Sequence, residues 1–445
     1  MRKAFIITFL IVLIFSGFLS YYLTQISNQH LYFTTLLLND AGHIVTPNKI
    51  TLSSLLDFKT TLFASYFLTF TAGMIIAFLI SFFMSTLFIN GDSFFQIIEI
   101  SIPILISLTF IGTTLYTYEE KDLFPRISDS FLFSNKLGES INNFYYKYSL
   151  HATETFKSSK QKQVKPYWID PEIKNNSNLK KTLFKYGWLA IDKKLDSALI
   201  IEKKHVKQLL FKHKNKIILE TTVEKFLENP DDYLTLYSSK TDSYKFLRLF
   251  YSLGVMPGIP ILAFFIIYFL LFFIFLIITD SKNSNIISNT ITTLLIVVLL
   301  FYLNPEILNP IDYEAAEKML FSERSATRVQ GMRVISNKKF NIEKLSDVIP
   351  ELLKGGKTER YWLANTLGVS SNKQNIKTLN ILVKDESVNV QCAALNALSQ
   401  IDPTEKPFLL FKKIIKESDN WYIQYHAYKA YQRWIIENKY REAND

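Results

Sequence analysis

The chain has 445 residues, enough for two or three structural units. Lys and Arg outnumber Asp and Glu, 50 against 40, but they are interleaved with acidic residues, which favours a solvated surface or contact with anionic headgroups over nucleic-acid binding. The single cysteine, Cys392, excludes an intrachain disulfide and a cysteine-rich metal site.

Hydrophobic residues make up 49% of the chain and are concentrated in blocks with few charges. Because a helix needs about 20 apolar residues to cross a bilayer, we predict about five transmembrane helices, at about 4–23, 62–89, 97–116, 253–279 and 286–303. The expected fold class is a polytopic α-helical membrane protein of a bacterial-type inner membrane, in contact with membrane lipids. Arg2 and Lys3 favour a cytoplasmic N-terminus, and the first block is longer than a signal-peptide core, which favours an uncleaved anchor.

Two predicted spans separate the polar regions 118–250 and 312–445, so both are expected on the same, extracytoplasmic face. From about residue 185, short runs bounded by turn residues predict strands at 187–192, 197–201, 216–220 and 231–237. We therefore expect a small β-rich or α+β extramembrane domain at 118–250. His205 and His213 lie there without a third ligand nearby in sequence, so no metal or cofactor is predicted.

The region 312–445 contains an internal repeat. A polar residue recurs at Arg328, Arg360, Gln391 and Gln424, at intervals of 32, 31 and 33 residues. A small or apolar residue follows three places later, and a large apolar residue four places after that, which is helical spacing. Second helices are expected between these segments, at 345–353, 376–383 and 408–415. Such helix pairs bury their apolar faces against their neighbours and stack into an α-solenoid.

The segment 385–398, with Asp385 before the helix and Ala394 three places after the polar position, resembles the HEAT repeat of the phycobilin-lyase-like type. Gln391 and Gln424 stand where that signature has arginine. The resemblance covers about 130 residues and implies a protein-binding solenoid, not the lyase activity of some relatives. Aromatic residues near the chain end are candidate partner-binding residues, unless they cap the solenoid and pack internally: Trp421, Tyr422, Tyr425, Tyr428 and Trp434.

Residues 1–305 more weakly resemble the permease subunits of the lipopolysaccharide-export ABC transporter, which have three spans, a periplasmic β-jellyroll-like domain and three further spans. The segment 118–126, with Glu119, Glu120 and Pro125, is similar to the exit from the third span in that family. Here a sixth span is missing and the loop between the second and third spans is short.

The chain has no Gly-rich phosphate loop, His-Glu-x-x-His helix or Gly-x-Ser-x-Gly elbow. We therefore predict no catalytic residues and expect a non-enzymatic, membrane-anchored scaffold or adaptor that binds partner proteins through the HEAT-repeat solenoid. The alternative is a permease-like subunit of a lipid or lipopolysaccharide-export ABC transporter complex, with its ATPase on a separate subunit. A membrane enzyme is the third and least favoured hypothesis.

Overall fold

The computed structural model describes residues 135–442 except 147–149, 151–153, 155–156, 174–175, 193, 196–197, 206–207, 304–310, 341–344, 371, 402–404 and 419; before residue 135 it describes only residues 10, 14, 17 and 73. Lys136–Lys245 and Ile311–Asp445 belong to one compact unit, called here the larger unit. Phe246–Pro310 belongs to a second unit. The two polar regions of the sequence therefore fold together.

Five strands of the larger unit form one mixed sheet in the order β2-β1-β3-β4-β5, so β2 and β5 are its edges. The strands are β1 (Lys165–Ile169), β2 (Trp188–Ala190), β3 (Leu199–His205), β4 (Gln208–His213) and β5 (Lys216–Thr222). β1 pairs in parallel with β2 and β3, whereas β3, β4 and β5 pair in antiparallel fashion. Lys214 and Asn215 join β4 to β5 with φ angles of 47° and 62°, as a two-residue type I′ hairpin requires.

Short helices cover this sheet. Helix α1 (Lys136–Phe144) precedes it in the chain, α2 (Ser177–Lys185) connects β1 to β2, and α3 (Val223–Glu228) and α4 (Pro230–Thr241) follow β5. The apolar faces of α2, α3 and α4 meet the sheet in a buried aromatic core, where the rings of Phe211 and Phe226 lie 5.2 Å apart and those of Trp188 and Tyr237 lie 5.9 Å apart. Both pairs adopt the edge-to-face geometry that aromatic rings prefer.

The predicted strands at 187–192, 197–201 and 216–220 are confirmed by β2, β3 and β5. The strand predicted at 231–237 is wrong, because these residues lie in α4. Pro230 occupies the first helical position, and Asp231 and Asp232 lie in the first turn, where carboxylates interact favourably with the positive end of the helix. Leu234 and Tyr237 are buried at helical spacing on one face.

The second unit contains a helical hairpin formed by α5 (Lys245–Leu276) and α6 (Ser281–Leu303). The Asp280 carboxylate accepts a hydrogen bond from the Asn283 N–H at 2.8 Å and so caps α6. The Tyr268 hydroxyl donates to Asn285 Oδ1 at 2.8 Å and joins the two helices. Apolar side chains on α5, among them Leu270 and Phe273, are exposed.

The predicted membrane spans are corrected by this structure. Among the residues it describes, no helix has both the length and the apolar character that crossing a membrane requires. The spans predicted at 253–279 and 286–303 coincide with α5 and α6, to which this finding applies. The spans predicted at 4–23, 62–89 and 97–116 lie outside the described residues, apart from isolated positions. The polytopic membrane fold and the inner-membrane localisation are accordingly not supported.

Four helix pairs follow in the described part of the larger unit. They are α7 (Tyr313–Leu320) with α8 (Ser325–Lys338), α9 (Leu345–Lys354) with α10 (Lys357–Val369), α11 (Asn375–Leu382) with α12 (Val388–Ile401), and α13 (Glu405–Glu417) with α14 (Trp421–Glu442). The helices of each pair are in contact, and the second helices α8, α10, α12 and α14 pack in succession against one another. The predicted helices at 345–353, 376–383 and 408–415 are therefore confirmed.

Candidate binding site on the helical repeats

The polar position that recurs in the sequence lies near the start of each second helix, and its side chain reaches back to the turn inside its own pair. Each side chain donates to backbone carbonyls in the turn that follows the first helix or, for Ile415, in the last turn of that helix. The donors and their carbonyl acceptors are Arg328 with Ser322 and Glu323, Arg360 with Gly355, Gln391 with Asp385, and Gln424 with Ile415 and Ser418. The four repeats therefore share this capping contact, whether the residue at the recurring position is arginine or glutamine.

The two arginines also join neighbouring helix pairs. Arg328 Nε donates to Glu359 Oε1 at 2.7 Å, and the two residues are 8% and 2% exposed. Arg360 contacts both oxygens of Asp385, with its Nε 2.6 Å from Oδ2 and its Nη2 3.2 Å from Oδ1. Glutamine carries no charge, so Gln391 cannot extend this series of ion pairs to the fourth helix pair.

A second polar position lies five residues after the first in every repeat, within otherwise apolar helices. Its members are Arg333, Asn365, Asn396 and Lys429. Arg333 lies over the ring of Trp362, with 5.3 Å between the guanidinium carbon and the ring centre, and the Asn365 amide donates to the Tyr361 carbonyl at 2.9 Å. The position places polar groups on one surface of the second helices.

On that surface α10, α12 and α14 surround a cavity of about 140 Å³. We call this surface the inner groove, defined by Tyr361, Asn365, Asn389, Cys392, Asn396, Tyr422 and His426. The cavity is smaller than typical small-molecule sites, which measure roughly 300–1,000 Å³. Its lining of aromatic rings, amides and one imidazole suits a protein side chain or ordered water better than a free organic ligand.

A segment from elsewhere in the chain already lies in the inner groove. Tyr146, shortly after α1, lines the cavity, and its ring centre is 4.8 Å from that of Tyr422. Glu139 of α1 forms an ion pair with Lys357 at the start of α10. Leu150 is 3% exposed and belongs to the same hydrophobic core as the helix pairs. The repeat surface thus holds this segment of its own chain through an ion pair, an aromatic ring and an apolar side chain.

Two polar atoms of the inner groove lack hydrogen-bond partners among the described residues: His426 Nε2 and Asn389 Oδ1 are both shielded from solvent. Burial, reinforced by Lys429, lowers the pKa of His426 to about 3, so its imidazole is neutral near pH 7. Burial, with contributions from Tyr361 and Tyr145, raises the pKa of Tyr146 to about 12. Burial also raises the pKa of the Cys392 thiol, so Cys392 is protonated and unsuited to nucleophilic chemistry.

Helix α14 also covers the exposed edge of the sheet at β2. The Ile191 N–H donates to the Tyr167 carbonyl of β1, so the N–H and C=O of its neighbour Ala190 point away from β1. Gln432 binds both of these groups: its Oε1 accepts from the Ala190 N–H at 2.9 Å and its Nε2 donates to the Ala190 carbonyl at 2.6 Å. One side-chain amide therefore replaces a neighbouring strand at an edge that would otherwise be unpaired.

The aromatic residues singled out in the sequence take part in this packing. Trp421, Tyr422, Tyr425 and Tyr428 are between 0% and 9% exposed. The hydroxyl of Tyr425 donates to the Gln163 carbonyl at 2.7 Å, and that of Tyr428 donates to the Ala190 carbonyl at 2.6 Å. Trp434 is partly exposed, and its ring centre lies 4.3 Å from that of Phe408. The first four residues therefore pack internally, which was the alternative to partner binding. Of these four, only Tyr422 lines the cavity.

The described residues contain no group of three or more His, Cys, Asp or Glu side chains placed to hold a metal ion. His213 Nδ1 instead lies 3.2 Å from the Tyr237 hydroxyl, within hydrogen-bond distance. His205 ends β3 and pairs with Gln208 of β4.

Comparison of the chain with models of known families, with curated proteins and with solved structures gives no match in any of the three. In its described residues the structure defines a class of fold: a mixed five-stranded sheet whose edge strand β2 is covered by α14, the last helix of an array of four helix pairs. The resemblances to the HEAT repeat and to the permease family stay predictions.

Proposed function

We propose that this chain is a non-enzymatic scaffold that binds a helical segment of a partner protein in its inner groove. The observation that supports the proposal most directly is the presence of the chain's own segment in that groove, held by the Glu139–Lys357 ion pair and by Tyr146. A surface that accepts an amphipathic helix from its own chain offers the contacts that a partner helix would need. The chain's own segment that carries Glu139 and Tyr146, called here the cis segment, would then compete with the partner.

The unpartnered atoms support the same proposal. Buried polar groups without hydrogen bonds are costly, at about 1–3 kcal/mol each. His426 Nε2 and Asn389 Oδ1 both lie at the cavity that Tyr146 lines. The phenol of Tyr146 forms a hydrogen bond with the Asn389 side chain but leaves Asn389 Oδ1 and His426 Nε2 unsatisfied among the described residues. A partner side chain with both a donor and an acceptor would satisfy these two atoms. This difference gives a partner an advantage over the cis segment.

The membrane-anchored form of the scaffold and the permease alternative both require membrane spans, and neither is proposed. The partner is therefore described only by its chemistry: a helix with an acidic residue near its start, an aromatic or amide side chain for the cavity and an apolar residue beyond it.

Site-specific cross-linking in cells tests the proposal. A photoreactive phenylalanine analogue at position 365 samples the inner groove, and the same analogue at position 413, which is exposed on α13, is the matched control. We expect a discrete adduct with another protein from position 365 only. Adducts of equal yield and identity from both positions, or adducts from position 365 confined to the chain's own residues, would contradict the proposal.

A charge reversal strengthens this test. Glu139→Lys places two like charges at the ion pair with Lys357 and weakens the cis segment, so the adduct from position 365 should increase several-fold. Glu172→Lys reverses an exposed charge whose partner is Lys203, away from the groove, and should leave the yield unchanged. An equal response to both substitutions would indicate a general charge effect instead of competition.

A further inference from the structure

A basic cleft lies between α2 and α14 in the larger unit. It has a volume of about 620 Å³, which falls within the range of roughly 300–1,000 Å³ found for small-molecule sites. Two cations come from each helix: Lys181 and Lys185 from α2, and Lys429 and Arg433 from α14. Among the described residues that line it, the only carboxylate is that of Glu437, which is exposed.

The spacing of these cations is unfavourable for the protein alone. Lys181 and Lys185 are four residues apart on one helix, and so are Lys429 and Arg433 on the other, so each pair places like charges one above the other. Like charges at this spacing destabilise a helix, and here two such pairs line the same cleft. Three lysines and one arginine therefore line one cleft, where an anion would offset their mutual repulsion.

Burial makes the repulsion stronger on the α14 side. Burial lowers the pKa of Lys429, and Arg433 lowers it further. Burial also lowers the pKa of Lys165, whose ammonium lies near Gly187 of the cleft, and Lys429 lowers it further. Burial lowers the pKa of Arg433, which Glu437 partly offsets. A bound anion would remove these penalties.

Arg433 is held in position by neutral groups. Its Nη1 lies 3.3 Å from Asn396 Oδ1 and 3.2 Å from Ser399 Oγ, and its guanidinium stands 5.7 Å from the centre of the Phe184 ring. A guanidinium oriented in this way keeps further N–H groups for a bidentate contact with a phosphate. Phe184 and Ile436 add an apolar wall beside the cations.

We infer that this cleft binds an organic phosphate, with the phosphate groups between the lysine pair of α2 and the Lys429–Arg433 pair, and an apolar or planar group against Phe184 and Ile436. The inference concerns a different surface from the inner groove and does not depend on the scaffold proposal. Its sequence signature is a Lys-x-x-x-Lys pair on α2 together with a Lys-x-x-x-Arg pair on α14.

Calorimetric titration of the full-length chain tests the inference with three probes. ADP carries both phosphate and a planar group, pyrophosphate carries phosphate alone, and adenosine carries the planar group alone. We expect ADP to bind more tightly than pyrophosphate, adenosine not to bind, and the affinity for ADP to fall steeply as the salt concentration rises, because the attraction is screened. No binding of either phosphate at millimolar concentration, or equal binding of ADP and adenosine, would overturn the inference.

Variants locate the site. Lys181→Gln/Lys185→Gln changes two exposed side chains of α2 and should lower the affinity for ADP at least tenfold; Lys429→Gln/Arg433→Gln should do the same. The first variant keeps the test decisive if the second fails to fold. Lys412→Gln/Lys416→Gln removes a pair of the same charge and spacing from α13 and should leave the affinity unchanged. An equal loss in this control would overturn the inference, as would tighter binding of poly-glutamate than of ADP at the cleft.

Discussion

Removing the buried ion pair between Arg328 and Glu359 should lower the free energy of unfolding. The loss should be larger than that caused by removing the hydrogen bond of a glutamine at the same position of another repeat. Arg328→Met removes the 2.7 Å contact with Glu359 and two carbonyl contacts. Glu359, which is 2% exposed, then keeps one hydrogen bond, accepted from the Gly356 N–H at 3.0 Å. An uncompensated buried carboxylate typically costs about 3–5 kcal/mol.

Gln391→Met is the matched control, because it changes the same position two repeats later. That substitution removes a single neutral hydrogen bond to the Asp385 carbonyl, which is worth about 0.5–1.5 kcal/mol. The free energy of unfolding should therefore fall by about 3 kcal/mol more in the Arg328 variant than in the Gln391 variant.

The measurement is amide hydrogen exchange of the full chain in low urea, which reports the opening free energy of α8, α10 and α12 separately. In the Arg328 variant, α8 and α10 should lose protection first. Adding Glu359→Leu should recover part of the loss, because the unpaired carboxylate is removed. Equal losses in the Arg328 and Gln391 variants, or no recovery on removing Glu359, would refute the reasoning.

Three further substitutions have defined expectations. Gln432→Leu leaves the N–H and C=O of Ala190 without their side-chain partner, so the Ala190 amide should exchange faster and stability should fall by about 1–3 kcal/mol. His426 has a pKa of about 3 in the folded chain against 6.5 normally, so folding stability is lost as the pH falls from 6.5 towards 3, by up to about 1.4 kcal/mol per pH unit. His426→Asn should flatten this pH dependence of the free energy of unfolding, measured by urea titration. An unchanged slope would show that other groups cause it. Gly331→Ala places a Cβ 2.8 Å from the Ala316 carbonyl oxygen, so the melting temperature should fall by the equivalent of about 1–3 kcal/mol, unless α7 can move away from α8 without cost.

The repeat was predictable because its physical cause is local. A polar side chain that reaches the preceding turn must recur at the start of each second helix, so the interval between Arg328, Arg360, Gln391 and Gln424 follows from the length of one helix pair. Strands β2, β3 and β5 were predictable from turn-bounded runs for the same reason. The same kind of run at 231–237 lies in a helix, α4. Pro230 and two first-turn aspartates favour that helix more strongly than alternation over seven residues favours a strand.

The membrane prediction rested on the length and low charge of the apolar blocks in the sequence. In α6 the polar residues Ser284 and Ser288 are buried, an arrangement that depends on contacts the sequence does not specify. The inner groove was missed for a related reason: its Tyr146 comes from a segment more than 200 residues before Tyr361 and Tyr422. The polar position five residues after each capping residue was the available signal, since it placed Asn365 and Asn396 within apolar helices.

The aromatic residues of α14 could be identified from the sequence, but what they contact could not. Its sequence contains two adjacent stripes with intervals of three and four residues. The stripe of Tyr425, Tyr428 and Gln432 covers the sheet edge. The neighbouring stripe, offset by one residue, contributes Tyr422 and His426 to the inner groove and then Lys429 and Arg433 to the basic cleft.

Helical periodicity determines which of these residues share a face, but only the tertiary structure determines what covers that face. The apolar and hydroxyl-bearing stripe could be satisfied inside the molecule, because backbone carbonyls at Gln163 and Ala190 accept its hydrogen bonds. The stripe with His426, Lys429 and Arg433 was left with a shielded imidazole nitrogen and with neighbouring cations. Because the first stripe is satisfied within the molecule, we propose that the binding surfaces lie along the second stripe, where the inner groove and the basic cleft are found.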